Sequence, residues 1–224
     1  TLYVNEGATI NEYLDVYGPV NVYGPINTTY YITINGNPVI STDAANCNLS
    51  VGDNTNPVSN GYSNTAIGES ALQNNQVGVR DTAVGCEALK LNTQGNDNVA
   101  VGAQAATSLS GSDQNTIVGS QALHDANSVD GCTAVGYNAL HDNQESQITA
   151  VGLRALESNT KGYENTAVGV RALQHNLIGA FNTAVGGESQ EFNAIGYWNT
   201  SCGAGTLRVN QSFFNTACGA DALG

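Results

Sequence analysis

Residues 165–181 read NTAVGVRALQHNLIGAF and residues 64–80 read NTAIGESALQNNQVGVR, with the same types of residue in the same order. Each segment holds a glycine that follows a small apolar pair. Such glycines recur with a nearly constant step at Gly68, Gly85, Gly102, Gly119, Gly136, Gly152, Gly169, Gly186, Gly203 and Gly219. Gly52 marks a degenerate further copy one step upstream. With this glycine as position zero, Asn is usual at −4, Thr at −3, Ala at −2, Val at −1, Ala at +3, Leu at +4 and Asn near +7.

The length of the unit predicts an all-β parallel solenoid. Helical repeats need units of about 33 residues or more. The apolar pairs are short and rich in Val and Thr, which favours strands, and the flanking Gly and Asn tolerate positive φ at corners. We therefore predict a β-solenoid of 10–11 coils over residues 48–224, with about 17 residues and two strands per coil. At roughly 4.8 Å per coil the rod would be about 50 Å long, and its stacked Asn side chains would form a hydrogen-bonded ladder.

The apolar pairs predict that a second surface covers the solenoid. Ala66-Ile67 at −2 and −1, and Ala71-Leu72 at +3 and +4, are apolar at both positions, as are most other copies. Neighbouring strand residues face opposite sides, and a strand that is apolar on both faces is usually covered on both. The side chains of one face then fill the coil. Those of the other face need a partner surface, so we predict parallel association of identical chains. The polar leg from +7 to −4 is predicted to face solvent.

The units NTAIGESAL, DTAVGCEAL and NTAVGVRAL resemble the NTAVG-x-x-AL arrays of phage and viral tail-fibre proteins, and also the head repeats of trimeric autotransporter adhesins. The resemblance covers about residues 48–224. It implies a left-handed parallel β-roll that assembles as a parallel homotrimer, and a location on a virion appendage or a cell surface. It carries over no catalytic residue, and we expect no cofactor.

Residues 1–47 have a different composition, rich in Tyr, Gly and Pro. The segment VYGPV at 16–20 recurs as VYGPI at 22–26. Proline cannot donate to a sheet ladder, so regular central strands are not expected there. Residues 30–34 (YYITI) predict a strand, and Asn35-Gly36 predicts a tight turn after it. We expect an extended arm or shaft wound with partner copies; the alternative is an arm that adds a strand to a neighbouring subunit in a head-to-tail filament.

The charge composition excludes several classes of partner. The net charge is −13, with only six Lys and Arg residues, so no basic surface exists to neutralise phosphates. We therefore expect neither nucleic-acid binding nor attachment to an anionic membrane. No apolar run approaches the roughly 18 residues of a membrane span. Cys202 and Cys218 replace the usual Val at −1 and are predicted to be buried free thiols.

Aromatic residues gather at +10 to +12 of the later units and are the candidate ligand-binding residues. They are Tyr163, Phe181, Tyr197, Trp198, Phe213 and Phe214. Exposed rings stack on sugars and dominate binding hot spots, so one interpretation is a glycan-binding stripe. The alternative is that these rings close the end of the solenoid or contact a following domain, because terminal repeats are atypical.

Two other patterns concern metals and glycosylation. His124-Asp125 and His141-Asp142 occupy +5 and +6 of successive units. Stacked in neighbouring coils, these imidazoles and carboxylates are reasonable metal ligands, but a tetrahedral site needs more ligands in fixed geometry, so we expect exposed polar turns and no metal site. Sequons of the Asn-x-Ser/Thr type begin at Asn27, Asn48, Asn199 and Asn210. In a source that glycosylates proteins, these asparagines are expected to be surface acceptors.

The expected function is that of a non-enzymatic extracellular fibre or adhesin protein. It would be a rigid multivalent rod for surface attachment or filament building, whose partners are its own copies and a cell-surface glycan or protein receptor. A glycan-cleaving tailspike, using carboxylates such as Glu69, Glu87 and Glu188, ranks third.

The second-ranked function is an ice-binding or other surface-binding solenoid. Its support is the column of threonines at −3: Thr65, Thr82, Thr116, Thr133, Thr149, Thr166, Thr183, Thr200 and Thr216. Val99 interrupts that column in the third unit.

Overall fold

The computed structural model describes residues 31–34, 37–43, 46–55 and 60–223, which form one 13-stranded sheet in chain order. Strand β1 (Tyr31–Ile34) pairs antiparallel with β2 (Asn37–Asp43), and β2 pairs antiparallel with β3 (Asn48–Val51). The strand predicted at residues 30–34 is therefore confirmed over Tyr31–Ile34. The repeated VYGP segments and the predicted Asn35-Gly36 turn lie outside the described residues.

From β3 onward every pairing is parallel. The strands are β4 (Thr65–Ile67), β5 (Thr82–Val84), β6 (Val99–Val101), β7 (Thr116–Val118), β8 (Thr133–Val135), β9 (Thr149–Val151), β10 (Thr166–Val168), β11 (Thr183–Val185), β12 (Thr200–Cys202) and β13 (Thr216–Cys218). The register places equivalent residues side by side, as in Ala83 beside Ala100. The predicted all-β parallel solenoid is confirmed, with about ten coils that follow the period of the sequence repeat. The described segments include no apolar helix of membrane-crossing length.

Each coil contains one strand among the described residues, so the prediction of two strands per coil is wrong. The segment after the glycine alternates its backbone conformation: Arg171 and Leu173 have φ of 57° and 50°, and the same alternation recurs along the chain. In this turn conformation, successive side chains do not alternate between two opposite faces as they do in a strand. Ala172 and Leu173 are consecutive, yet both are fully buried. The +3 and +4 pair therefore needs no second surface, because both side chains lie inside the coil.

The apolar interior is narrow and built from small residues and leucine. Only the middle residue of each three-residue strand faces inward, as Ala83, Ala100 and Ala167 do with no exposed surface. The +4 leucines fill the rest: Leu72, Leu89, Leu123, Leu140, Leu156 and Leu173 are all fully buried. Burial of one leucine contributes roughly 2 kcal/mol, which offsets the positive φ that this position adopts in the turn.

The polar leg of the coil contributes a second, hydrogen-bonded interior, so its predicted exposure to solvent is wrong for the asparagines at −4 and +7. Asn98 is fully buried. Its Nδ2 donates to the carbonyl of Ser112 at 2.6 Å, while its Oδ1 accepts from the backbone N–H and the Nδ2 of Asn115 at 3.1 and 3.0 Å. The predicted asparagine ladder is thereby confirmed. Asparagine fits because its amide supplies donors and acceptors to backbone groups outside the strands.

The glycine at position zero is required by the close approach of the coils. Gly119 has φ of +144°, and a Cβ built on it would lie 2.3 Å from the carbonyl oxygen of Gly136 in the next coil. A side chain would therefore collide with backbone rather than with a movable group. This contact explains why the glycine is the one residue present in every unit.

We predict that Asn115→Ala lowers the free energy of unfolding by about 3 kcal/mol or more. The substitution removes the bonds from Nδ2 to the carbonyl of Val129 and from the N–H of Cys132 to Oδ1, and it leaves those buried groups without partners. Urea unfolding followed by circular dichroism measures the change. The control is Asn127→Ala at an exposed position, which should change stability by less than about 0.5 kcal/mol. Equal effects of the two substitutions would show that the buried ladder does not stabilise the fold.

Candidate functional site

The main candidate is a surface that we call the outer strand face, formed by the first and third residues of strands β4 to β13. Because the middle residue points into the coil, the residues at −3 and −1 point outward. The face contains only Thr, Val, Ile and Cys, with no charged side chain. Its most exposed valines, at 36–40% of their surface, are Val99, Val101, Val118, Val168 and Val185.

The outer strand face consists of two adjacent columns. The parallel register places Thr166 beside Thr183 and Val168 beside Val185, and the same pairing continues through the coils. The threonine column is partly exposed and is interrupted by Val99, as the sequence indicated. The apolar column at −1 is continuous from Val51 to Val185 and ends with Cys202 and Cys218. No described part of the chain covers it.

The six aromatic residues singled out from the sequence lie together on the surface of the last coils. Phe181 and Trp198 stack with centroids 5.4 Å apart, Trp198 and Phe214 stack at 5.0 Å, and their planes are parallel within 3°. Tyr163 meets the edge of Phe181, and Phe213 stacks on Tyr197. We call this group the aromatic column. Sequence spacing predicted its position but not its stacking.

The stacking determines which aromatic surface a ligand can reach. Both faces of Trp198 are covered, by Phe181 on one side and by Phe214 on the other. Phe214 stacks on Trp198 alone among the described residues, and 75% of its surface is exposed. A sugar ring needs an open aromatic face, so the position in this column best suited to a ligand is Phe214.

Of the carboxylates considered for glycan cleavage, Glu69 is exposed, whereas Glu87 and Glu188 are partly buried and form ion pairs. Glu188 pairs with Arg171 and with Arg208, which also contacts Glu191 at 2.7 Å. Hydrogen bonds from the Lys90 ammonium and the Gln104 amide hold the pKa of Glu87 below its usual value. A general acid in glycoside hydrolysis needs a raised pKa instead.

Two expectations about individual residues are corrected by burial. Asn48 and Asn199 are 3% and 0% exposed, and Asn199 donates its Nδ2 to Asn182 in the asparagine ladder. They are therefore not surface acceptors for glycans, whereas Asn210 is partly exposed and Asn27 lies outside the described residues. Cys202 and Cys218 are free thiols but exposed rather than buried, because position −1 faces outward.

The histidine pairs are brought together by the stacking of the coils. The rings of His124 and His141 are 5.2 Å apart and nearly parallel. The carboxylate of Asp125 lies near a nitrogen of both rings. The separation of the two histidines in sequence equals one coil, which is why the repeat places them side by side.

Asp81 is a buried titratable residue that the sequence analysis missed. It occupies position −4, where asparagine is usual, and it is fully buried in the asparagine ladder. Its Oδ1 accepts the N–H of Asn98 at 2.9 Å, and its Oδ2 accepts from Nδ2 of Asn92 at 2.9 Å. Burial raises the pKa of Asp81 to about 7, although these hydrogen bonds oppose the shift. The signal in the sequence that could have identified it is the aspartate at an offset where the other units usually carry asparagine.

Comparison with protein-family models, with curated proteins and with solved structures found no match to the chain. Any function assigned to the protein therefore depends on the surfaces described above, together with the resemblance of the repeat units.

We predict that Asp81→Asn stabilises the protein at pH 8 and hardly changes it at pH 4. Between about pH 4 and pH 7 the unfolded chain ionises Asp81 while the folded chain keeps it protonated, so stability falls as pH rises through this window and is level above it. The raised pKa corresponds to a loss on the order of 4 kcal/mol. Asparagine carries no charge and restores the usual ladder residue.

Urea unfolding of both proteins at pH 4, 6 and 8 checks this prediction. The stability difference between variant and wild type should widen with pH. A difference that stays constant would mean that Asp81 ionises in the folded state as easily as in the unfolded chain.

Proposed function

We propose that this protein is a non-enzymatic structural component of an extracellular fibre, on a virion appendage or a cell surface, in which identical parallel chains pack through their outer strand faces. The observation that carries the proposal is the continuous, uncharged apolar column at −1, which the described chain leaves uncovered. The resemblance to trimeric repeat proteins supports three chains.

The distribution of charge supports association through this face. The chain carries a net charge of −13, yet none of those charges lies on the first or third residue of β4 to β13. Soluble monomers rarely expose long contiguous apolar surfaces, and the centres of protein interfaces are depleted in charge. Because the repeat is in register, each coil of one chain would meet the same coil of a parallel neighbour, so one contact is repeated along the whole rod.

The mechanism of such a fibre is mechanical and multivalent. Hydrogen bonds join each coil to the next through both strand and turn, as from Leu89 N–H to the carbonyl of Ala105 at 3.0 Å, and this network makes the rod stiff. Parallel chains present identical binding surfaces together, which raises avidity through effective concentration. In this proposal the open ring of Phe214 contacts a cell-surface glycan or protein receptor, and the arm or shaft that extends the fibre is the part of residues 1–47 that precedes β1.

We predict that wild-type protein sediments as a trimer and that Val168→Glu combined with Val185→Glu sediments as a monomer. The two glutamates would place charges against one another where the apolar columns meet. Analytical ultracentrifugation at micromolar concentration measures the mass.

The matched control is Leu153→Glu combined with Val170→Glu, since these residues at +1 are 44% and 46% exposed but lie outside the outer strand face. This control should remain trimeric. A wild-type monomer, or equal loss of assembly in both double variants, would contradict association through the outer strand face.

Ice binding is the second candidate, and the in-register threonine column is the observation that favours it. Ice would need the outer strand face to be open, so this function and assembly through that face exclude each other. Thermal hysteresis in a monomeric preparation, abolished by Thr133→Lys with Thr166→Lys, would support ice binding over the fibre. Trimeric protein without hysteresis would support the fibre.

A further inference from the structure

A cluster of metal-binding side chains lies on the turns of two neighbouring coils, away from the outer strand face. His124-Asp125 and His141-Asp142 occupy +5 and +6 of successive units, and the N–H of Asp125 donates to the carbonyl of His141 at 2.9 Å. This backbone contact fixes the two turns against each other. The imidazole rings therefore stack with centroids 5.2 Å apart and planes within 13°.

Asp125 joins the two histidines. Its Oδ1 is 2.5 Å from Nδ1 of His124, and its Oδ2 is 3.8 Å from Nδ1 of His141. One donor atom from each of the three residues lies within 4.8 Å of the others. Zinc binds nitrogen and oxygen at about 2.0–2.2 Å, so two of its ligand atoms are at most about 4.4 Å apart. Small side-chain rotations would close that gap, and these side chains, which are 21–53% exposed, border on solvent.

The charges around the cluster favour a cation. Asp142 adds a second carboxylate, 2.5 Å from Nδ1 of His141. In the described part of the chain no lysine or arginine pairs with Asp125 or Asp142, whereas Glu87, Glu157 and Glu188 have such partners. The two aspartates are therefore paired only with imidazoles, which can exchange a proton for a metal ion.

We propose that His124, His141 and Asp125 bind one divalent transition-metal ion of the Zn²⁺ type, with a fourth position open to solvent. Two imidazoles in the ligand set select Zn²⁺, Ni²⁺ or Cu²⁺ over Ca²⁺ and Mg²⁺, which prefer oxygen. This proposal departs from the expectation drawn from the sequence. The sequence placed the two pairs in neighbouring coils, and the structure shows in addition that one carboxylate, that of Asp125, lies near Nδ1 of both rings.

Titration calorimetry with ZnCl₂ on chelator-treated protein tests the proposal, and CoCl₂ provides an absorption spectrum that reports nitrogen and oxygen ligation. We expect one ion per chain. His124→Gln, His141→Gln and Asp125→Asn should each weaken binding by about tenfold or more. Millimolar Ca²⁺ should not displace the ion.

The matched control is His175→Gln. His175 also lies on a coil turn and stacks on an aromatic ring, Phe192, at 5.2 Å, but none of the described ion pairs includes it. This variant should bind Zn²⁺ as the wild type does.

Several outcomes would overturn the site: no binding by wild-type protein, unchanged binding by the three ligand variants, an equal loss in His175→Gln, or displacement by Ca²⁺. Sedimentation and urea unfolding of each variant separate loss of a ligand from loss of the fold or of assembly.

Discussion

Hydrogen bonding between successive coils is the constraint on which the rest of the structure depends. It operates in the strands, where Thr82 N–H reaches the carbonyl of Asn98 at 2.8 Å, and it continues in the turns, where Asp125 N–H reaches the carbonyl of His141 at 2.9 Å. The coils are therefore held at backbone contact distance around their whole circumference. At that distance Gly119 cannot be replaced without a collision, and small residues and asparagines fill the interior.

Because the coils stack in register, the offset of a residue within its repeat unit determines where it lies on the solenoid. Residues that share an offset form a column, and the protein contains columns of different chemistry side by side: apolar at −1, hydroxyl at −3, amide at −4 and aromatic at +10 to +12. A residue that departs from the usual type at its offset lies among neighbours of a different chemistry. Asp81 places a carboxyl among amides, and Cys132, buried at the same offset, has its pKa raised to about 11 chiefly by burial. Departures from the repeat thus mark the positions with individual chemistry.

The sequence predicted those features that depend on the period alone. The parallel solenoid, the strand at −3 to −1, the stacked asparagines and the clustering of Trp198 with Phe214 follow from the regular spacing of the repeat units. The single strand per coil could not be predicted, because Arg171 and Leu173 are residues that rarely adopt positive φ and their identities give no sign of it. The spacing alone therefore predicts a solvent-facing leg that includes Asn92 and Asn98, whereas both side chains are fully buried. Which faces of a stacked ring remain open also depends on side-chain orientation rather than spacing.

The antiparallel hairpin of β1 and β2 has a consequence for growth. Its second strand occupies the side of β3 that a preceding parallel coil would need. Identical coils offer no intrinsic place to stop, and an open edge invites pairing with foreign strands. The hairpin ends the parallel stacking at β3 and makes β1 the edge strand on that side, so the coils are counted from a defined origin.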